Sequence, residues 1–318
     1  MFYSIRHLTR FQYSDPVYES VMEARMRPRG DGAQRCLSFK LGVTPKARVH
    51  SYRDHLGNSV HHFDVPGSHT RLAVLAESTV EVEGDGELPM QTDMADWMAV
   101  DQFREDGGNW EFLAPSRFAH GASSATDLAK EFGVERRADP MSLIRDLNSR
   151  MYSGFEYDTG STTVDSPIDD AIATRKGVCQ DFAHIMITLV RGVGIPCRYI
   201  SGYVYADRTD RASADASHAW VEANIPGVGW VGFDPTNNIM AGDRHIRTAI
   251  GRDYADVPPT RGVHKGAASS TLTVSVRVTT TEAPADEAER PVEVERYIAA
   301  EEQRDVASQQ EQQEQQQQ

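Results

Sequence analysis

Arg175-Lys176-Gly177-Val178-Cys179-Gln180-Asp181-Phe182-Ala183 is the stretch whose reading decides the fold. A glycine turn delivers Cys179 to the start of a segment in which Phe182, Met186, Leu189 and Val193 recur at helical spacing, and Gly192, Gly194 and Pro196 end it. The spacing predicts a helix opening at Val178 or Cys179. Unpaired N–H groups and the helix dipole at such a start favour a thiolate. A neighbouring base is then needed to complete a nucleophile. A lone cysteine at a helix start is commonly a small buried hydrophobe, so the base decides between the two readings.

The base candidate lies downstream. In His218-Ala219-Trp220-Val221-Glu222-Ala223-Asn224-Ile225, the residues His218, Trp220, Glu222 and Asn224 share one face, and Ala219, Val221, Ala223 and Ile225 share the other. Pro226-Gly227-Val228-Gly229 reads as a turn, and Trp230-Val231-Gly232-Phe233-Asp234 returns. Matching the apolar faces with the turn centred on Pro226 sets Val221 opposite Val231, Ala219 opposite Phe233 and His218 directly opposite Asp234. Opposed residues hold their Cβ atoms about 4.5–5.5 Å apart, within reach of an imidazole–carboxylate hydrogen bond. A register two residues longer makes the contact diagonal. The carboxylate would fix the imidazole tautomer and stabilise the imidazolium.

Working outward, Asp139 is a good N-cap and Pro140 suits a first helical position, with Leu143, Ile144, Leu147 and Met151 forming one apolar stripe. Arg198 to Val204 is a third strand candidate in this region, and Thr271 to Thr281 a late one. Residues 1–85 read as a β-rich N-terminal domain, with strands near Tyr3 to Leu8, Ser38 to Val43, Ser59 to Val65 and Thr70 to Val82. Asp15-Pro16, Arg29-Gly30-Asp31-Gly32 and Leu56-Gly57-Asn58 punctuate them. Alternation from Arg71 onward fits a half-buried strand. Residues 86–138 read as a connector with short helices, and 139–281 as the core that carries the chemistry together with the late strand. From Glu282 there are eleven acidic residues against three arginines, and the chain ends in Gln and Glu. Such a segment buries too little apolar surface to offset its ordering entropy, so 282–318 is expected to be a disordered acidic, Gln-rich tail and a candidate interaction segment, with room for a helical stretch near Val292 to Ala300 but not for a packed domain.

Four motifs in order carry a resemblance: Gly177-Val178-Cys179-Gln180-Asp181-Phe182-Ala183, Gly194-Ile195-Pro196-Cys197-Arg198-Tyr199, Ser217-His218-Ala219-Trp220-Val221-Glu222, and Gly229-Trp230-Val231-Gly232-Phe233-Asp234-Pro235-Thr236-Asn237. Together they resemble the core of the transglutaminase-like superfamily, one of the papain-like cysteine-nucleophile folds. The β-rich start, with Tyr13, Pro28-Arg29, Asp54 and Gly57-Asn58, is similar to the N-terminal region of bacterial members, and Gly251-Arg252-Asp253-Tyr254 to their downstream segment. The resemblance implies an α+β fold, a transglutaminase-like core preceded by an antiparallel β-rich domain. It implies Cys179 as nucleophile, His218 as general base and then acid, and Asp234 as the orienting carboxylate of an acyl transfer through a thioester. The amide of Cys179 is a natural oxyanion donor. Tyr157, Gln180 and Trp220 are candidates for the oxyanion site or cleft, each with an alternative role in packing. Gln180 stands where animal transglutaminases carry Trp, and no acidic loop has EF-hand spacing; both argue against calcium-dependent cross-linking.

Other candidates resolve to structural roles. His184 reads as a hydrogen-bonded packing residue, Asp181 as a helix-start charge and Cys197 as a buried small residue. His61-His62 point to opposite faces of a strand and cannot share one ion. No cofactor or metal is expected. With 33 Lys and Arg against 47 Asp and Glu, a net charge of −14, nucleic-acid binding is disfavoured, as is an anionic membrane surface. The start, Met1-Phe2-Tyr3-Ser4-Ile5-Arg6-His7, lacks the basic and apolar regions of a signal peptide, and three cysteines at unrelated spacings suit a reducing compartment. A cytoplasmic location is expected. The reading is a thiol-dependent enzyme acting on a peptide or protein amide, with a lean to hydrolysis as a cysteine peptidase or amidase. The alternatives are protein-glutamine transamidation and a non-catalytic peptide-binding module.

Overall fold

The computed structural model describes residues 1–84, 86, 88–136, 138–207, 210–211, 216–282 and 293–300. In chain order come β1 (Phe2–Ala24), β2 (Gln34–Thr44), β3 (Val49–Arg53), β4 (Ser59–Val65), β5 (His69–Val82), α1 (Asp96–Glu105), a 3-10 turn (Trp110–Phe112) and α2 (Ser123–Glu131). Then follow α3 (Pro140–Gly154), β6 (Glu156–Tyr157), α4 (Ile168–Thr174), β7 (Lys176–Gly177) and α5 (Cys179–Gly192). The remainder is β8 (Cys197–Val204), β9 (His218–Ile225), β10 (Gly229–Asp234), β11 (Ile239–Met240), β12 (His245–Gly251), a 3-10 turn (Tyr254–Asp256), β13 (Thr260–Lys265) and β14 (Ser270–Thr281).

Two antiparallel sheets result. One is a curled sheet of seven strands ordered β2-β5-β1-β4-β3, with β13 and β14 also paired to β1. β1 serves both halves. Its start pairs with β5 and β14, its end with β4 and β13, and the register shifts between Gln12 and Val17. The strand therefore runs through Asp15-Pro16, where the sequence suggested a break; an irregularity without ladder bonds tolerates proline. The late strand, grouped above with the chemistry-bearing core, instead lies along β1, with Phe2 opposite Thr281 and Tyr13 opposite Ser270. β5 is half-buried from Glu77 to Val82 but buried on both faces from Leu72 to Ala76. Its second face there is covered by residues 294–300, a helical segment within the tail: Val294 is buried against Leu8, Ala73 and Leu75, with Tyr297 and Ile298 beside it. The helix falls in the stretch near Val292 to Ala300 where the sequence admitted one; a disordered tail did not anticipate its seat on the first sheet, made by three apolar side chains on one helical face. The rest of the tail, 283–292 and 301–318, lies outside the described residues.

The second sheet is ordered β11-β10-β9-β8-β12. One face packs on α5 and α3: Ala219, Val221, Ala223, Ile225, Val231 and Phe233 join Phe182, Ile185, Met186 and Leu189 in the largest buried cluster. α3 begins as its sequence demands, with Asp139 accepting from the Ser142 amide at 3.0 Å and Pro140 at the first position. The connector holds α1, the 3-10 turn and α2, packed on the same cluster through Trp97, Val100 and Leu128.

Candidate active site

α5 starts at Cys179 because the preceding turn closes on itself. The Asp181 carboxylate reaches back to accept from the Val178 amide at 2.8 Å, and the Thr162 hydroxyl donates to it at 2.6 Å. Gly177 leaves room for this contact: a Cβ at that position would lie 2.9 Å from the Asp181 carboxylate oxygen and crowd it. Asp181 thus fixes the helix start, as its position suggested. Burial pushes its carboxyl up, against the lowering effect of those two hydrogen bonds.

The hairpin that carries the base differs in register from the first expectation. Ile225 pairs with Gly229 and Val221 with Phe233, so the pairing is two residues longer and the His218–Asp234 contact is diagonal. The turn explains it. The Val228 amide donates to the Ile225 carbonyl at 3.1 Å, with Pro226 and Gly227 (φ 74°) as its central residues. Proline followed by glycine at positive φ is what a type II turn requires. The contact itself forms: His218 Nε2 donates to Asp234 Oδ2 at 2.8 Å, both residues buried.

Asp234 is saturated with donors. Oδ1 accepts from the Thr236 and Asn237 amides at 3.0 and 3.2 Å. Oδ2 accepts from Asn237 Nδ2 at 2.8 Å, and from His245 Nε2 at 3.2 Å in addition to His218. Complete burial alone would raise this carboxyl, but the two histidines outweigh it and hold it well below the usual carboxylate range. The same contact acts in reverse on the imidazole. Burial favours neutral His218, yet the Asp234 charge and hydrogen bond, reinforced by Cys179, push it up to about 10. Cys179 therefore lies close enough to act on the ring, while His218 Nδ1 makes no hydrogen bond that is geometrically complete among the described residues. Sulfur and ring are adjacent without a completed hydrogen bond between them.

The remaining sequence candidates fall in three places. Gln180 is buried and its Nε2 donates to the Val164 carbonyl at 3.0 Å, tying down the loop before α4. Tyr157 in β6 is half-buried and pairs in register with Gly177; its ring meets Phe182 edge-on at 6.4 Å. Trp220 is 1% exposed and backs the site, and it is also among the walls of a cavity shared with Trp230, Ala241 and His245. Its ring centroid stands 6.1 Å from that of His218 and 5.1 Å from that of His245. His184 takes the packing role its place suggested, accepting from the Tyr254 amide at 3.2 Å and stacked on Phe118; burial lowers it to about 3. Cys197 is fully buried and pushed up to about 12. His245 and Tyr254 were missed. Tyr254 is raised by burial, then by Asp165 and Cys179, which puts it near the sulfur. Among the described residues no group of three or more His, Cys, Asp and Glu side chains could hold a metal ion, and no helix is long and apolar enough to cross a membrane.

A cysteine at a helix start, facing a strand-borne histidine that is held by a carboxylate on the next strand, defines an α+β core of the papain-like kind. Comparisons with known proteins agree. Residues 3–81 match the bacterial transglutaminase-like N-terminal region, and residues 126–235 match the transglutaminase-like superfamily. An uncharacterised protein of Mycobacterium tuberculosis is 32% identical over 291 residues, which span 87% of this chain and 92% of the relative. A solved structure of a candidate cysteine protease from Cytophaga hutchinsonii superimposes with a TM-score of 0.69 at 25% identity, covering 91% of this chain and 94% of that one. The chain belongs to the transglutaminase-like superfamily, with the bacterial N-terminal region attached. Over a shorter stretch of 132 residues, 38% of this chain and 19% of the relative, it is 33% identical to a protein-glutamine gamma-glutamyltransferase of Pseudomonas aeruginosa.

Proposed function

We propose that the protein is a thiol-dependent acyl-transfer enzyme acting on a peptide or isopeptide amide, with Cys179 as nucleophile, His218 as proton donor and acceptor, and Asp234 as the group that holds His218. The buried 2.8 Å contact between His218 and Asp234, beside a cysteine at a helix start, is the observation that carries this reading. An imidazole pushed up to about 10 enters the reaction already protonated near neutrality. His218 then acts first as an acid, where the sequence suggested a base. The Cys179 sulfur attacks the amide carbon as thiolate, and the amide of Cys179 at the start of α5 is the natural donor to the new oxyanion. The C–N bond breaks as His218 gives its proton to the leaving amine, and a thioester remains. Water attacks the thioester carbon next and gives one proton to His218; the C–S bond breaks to restore the Cys179 thiolate, and the carboxylic acid product loses its remaining proton to solvent.

Likeness to a candidate cysteine protease over nearly the full chain supports the hydrolytic outcome. The partial match to a gamma-glutamyltransferase supports transamidation as a second reading, in which an amine replaces water. Incubation of a peptide library with wild type and Cys179→Ala, followed by mass spectrometry, tests both. Cleaved or deamidated products that need Cys179 support hydrolysis, and amine adducts with loss of ammonia support transfer. A Cys179 that labels no faster than Cys36 with a thiol-directed electrophile, and is unaffected by His218→Ala, would leave only a peptide-binding module.

A further inference from the structure

We propose that His245 is a positioning residue of this site: it orients Asp234, and through it His218, while the N-terminal β region holds His245 in place. The inference rests on the acyl-transfer reading above. His245 sits at the start of β12, on the sheet edge opposite the side where β10 carries Asp234. It reaches the carboxylate because the segment after β11 crosses the sheet face. The Ala241 amide donates to the Gly232 carbonyl at 2.9 Å, and the His245 amide to the Gly242 carbonyl at 2.9 Å. The Gly242 amide donates to His245 Nδ1 at 3.3 Å, which makes Nδ1 the acceptor and leaves the ring proton on Nε2. That nitrogen points at Asp234 Oδ2, 3.2 Å away. Behind it the Trp220 indole packs against both imidazoles, which themselves stand 6.5 Å apart between centroids. Two glycines make room for the indole and its surroundings: a Cβ on Gly202 would lie 2.6 Å from the Trp220 ring, and one on Gly232 would lie 2.5 Å from the Ala241 methyl.

β12 is in turn clasped from outside its own sheet. The Gln34 carboxamide accepts from the Arg247 amide at 2.8 Å and donates to the Arg247 carbonyl at 2.9 Å. The Asn58 carboxamide does the same at Ile250, at 2.8 Å in both directions. Each side chain replaces the peptide of a neighbouring strand, so the free edge of β12 is paired by the N-terminal region. Arg29, singled out in the sequence with Asn58, donates from Nη1 to Asn58 Oδ1 at 2.7 Å and from its amide to the Arg247 carbonyl at 2.9 Å. The charged groups facing His245 are Asp234 and His218, while Glu222 and Arg247 line a cavity of about 290 Å³ beside it.

The test compares alkylation of Cys179 in wild type, His245→Phe and His245→Gln from neutral to alkaline pH. Phenylalanine keeps a ring against Trp220 and removes the donor; glutamine restores an N–H. His245→Phe is expected to slow labelling about tenfold, the scale of one lost charge-assisted contact. It should also move the alkaline limb upward, because one donor fewer shares the Asp234 charge with His218. His245→Gln should recover most of the rate. A wild-type rate and limb in His245→Phe, or equal losses in both variants, would overturn the proposal. If His245→Phe does not fold, His245→Ala takes its place in the same comparison. Labelling that ignores His218→Ala overturns the acyl-transfer reading itself. Labelling that collapses in His218→Ala but is untouched in His245→Phe overturns only the positioning role.

Discussion

At the scale of single residues the site is organised around one buried anion. Asp234 is 0% exposed and accepts five hydrogen bonds, two of them from imidazoles. An uncompensated carboxylate at that depth would be expelled or protonated. Here the donors make the charged form the stable one, and that charge keeps His218 protonated. The consequence for stability has two sides. The raised His218 contributes stability that is fully present below the ordinary imidazole value of 6.5 and is lost as pH rises through about 10. The lowered Asp234 contributes stability present above 3.8 and lost as pH falls through its own folded value. Urea denaturation should therefore show unfolding free energy declining between neutral pH and about pH 10. Asp234→Asn should flatten that decline and lower stability at neutral pH by about 3–5 kcal/mol, the cost of breaking a buried pair from one side. An unchanged slope in Asp234→Asn would show that the pair does not carry the linkage.

At the scale of elements, close approach decides more than propensity does. Gly202 in β8 is forced: a Cβ there would stand 2.2 Å from the Ile246 carbonyl oxygen, besides striking the Trp220 ring. Gly202→Ala should cost at least about 3 kcal/mol in equilibrium unfolding, at the top of the range for overpacking because backbone cannot step aside. Gly67→Ala, with nothing within 4 Å, is the control and should stay within about 0.5 kcal/mol of wild type. Asn58→Ala removes both hydrogen bonds that pair the β12 edge at Ile250 and should cost about 1–3 kcal/mol, read by the same denaturation. Local rules made several elements legible in the sequence. The stripe after Cys179, the Asp139 cap and the strict alternation from His218 to Ile225 each state one periodicity without conflict. Pairings fixed by distant partners were not legible. β3 is largely exposed and short, and the pairing of β14 with β1 joins residues more than 250 positions apart. The hairpin register was off by two because apolar matching alone permits both registers, and the Pro226-Gly227 turn chooses. His245 escaped because a histidine whose role depends on a segment crossing a sheet leaves no spacing signal.

At the scale of the whole molecule, the tail holds most of the charge but little of the architecture. The segment from Glu282 carries eleven acidic residues and three arginines, so the rest keeps 36 acidic against 30 basic. Its described helical turn nevertheless has a definite seat. Along the start of β1 the side chains alternate: Tyr3, Ile5 and His7 meet Tyr203 and Ile246 of the second sheet, and Leu8 joins Ala73 and Leu75 on the other face. Val294, Tyr297 and Ile298 cover that other face, and the Arg6 guanidinium lies 5.4 Å from the centre of the Tyr297 ring. The tail helix and the second sheet thus lie on opposite faces of the first, with Leu8 and His7 as neighbours pointing opposite ways. Truncation after Glu282 exposes Leu8, Ala73 and Leu75 to water. At about 25 cal/mol per Å² of apolar surface, a patch of this size is worth about 1–3 kcal/mol, partly offset by the chain entropy released. The truncated protein should melt a few degrees lower, and alkylation of Cys179 should keep its rate and pH profile, since no member of the Asp234 network touches that face. A loss of Cys179 reactivity with the tail removed would instead tie the outer face of the first sheet to the site, and the route would run through β1, His7 and Tyr203.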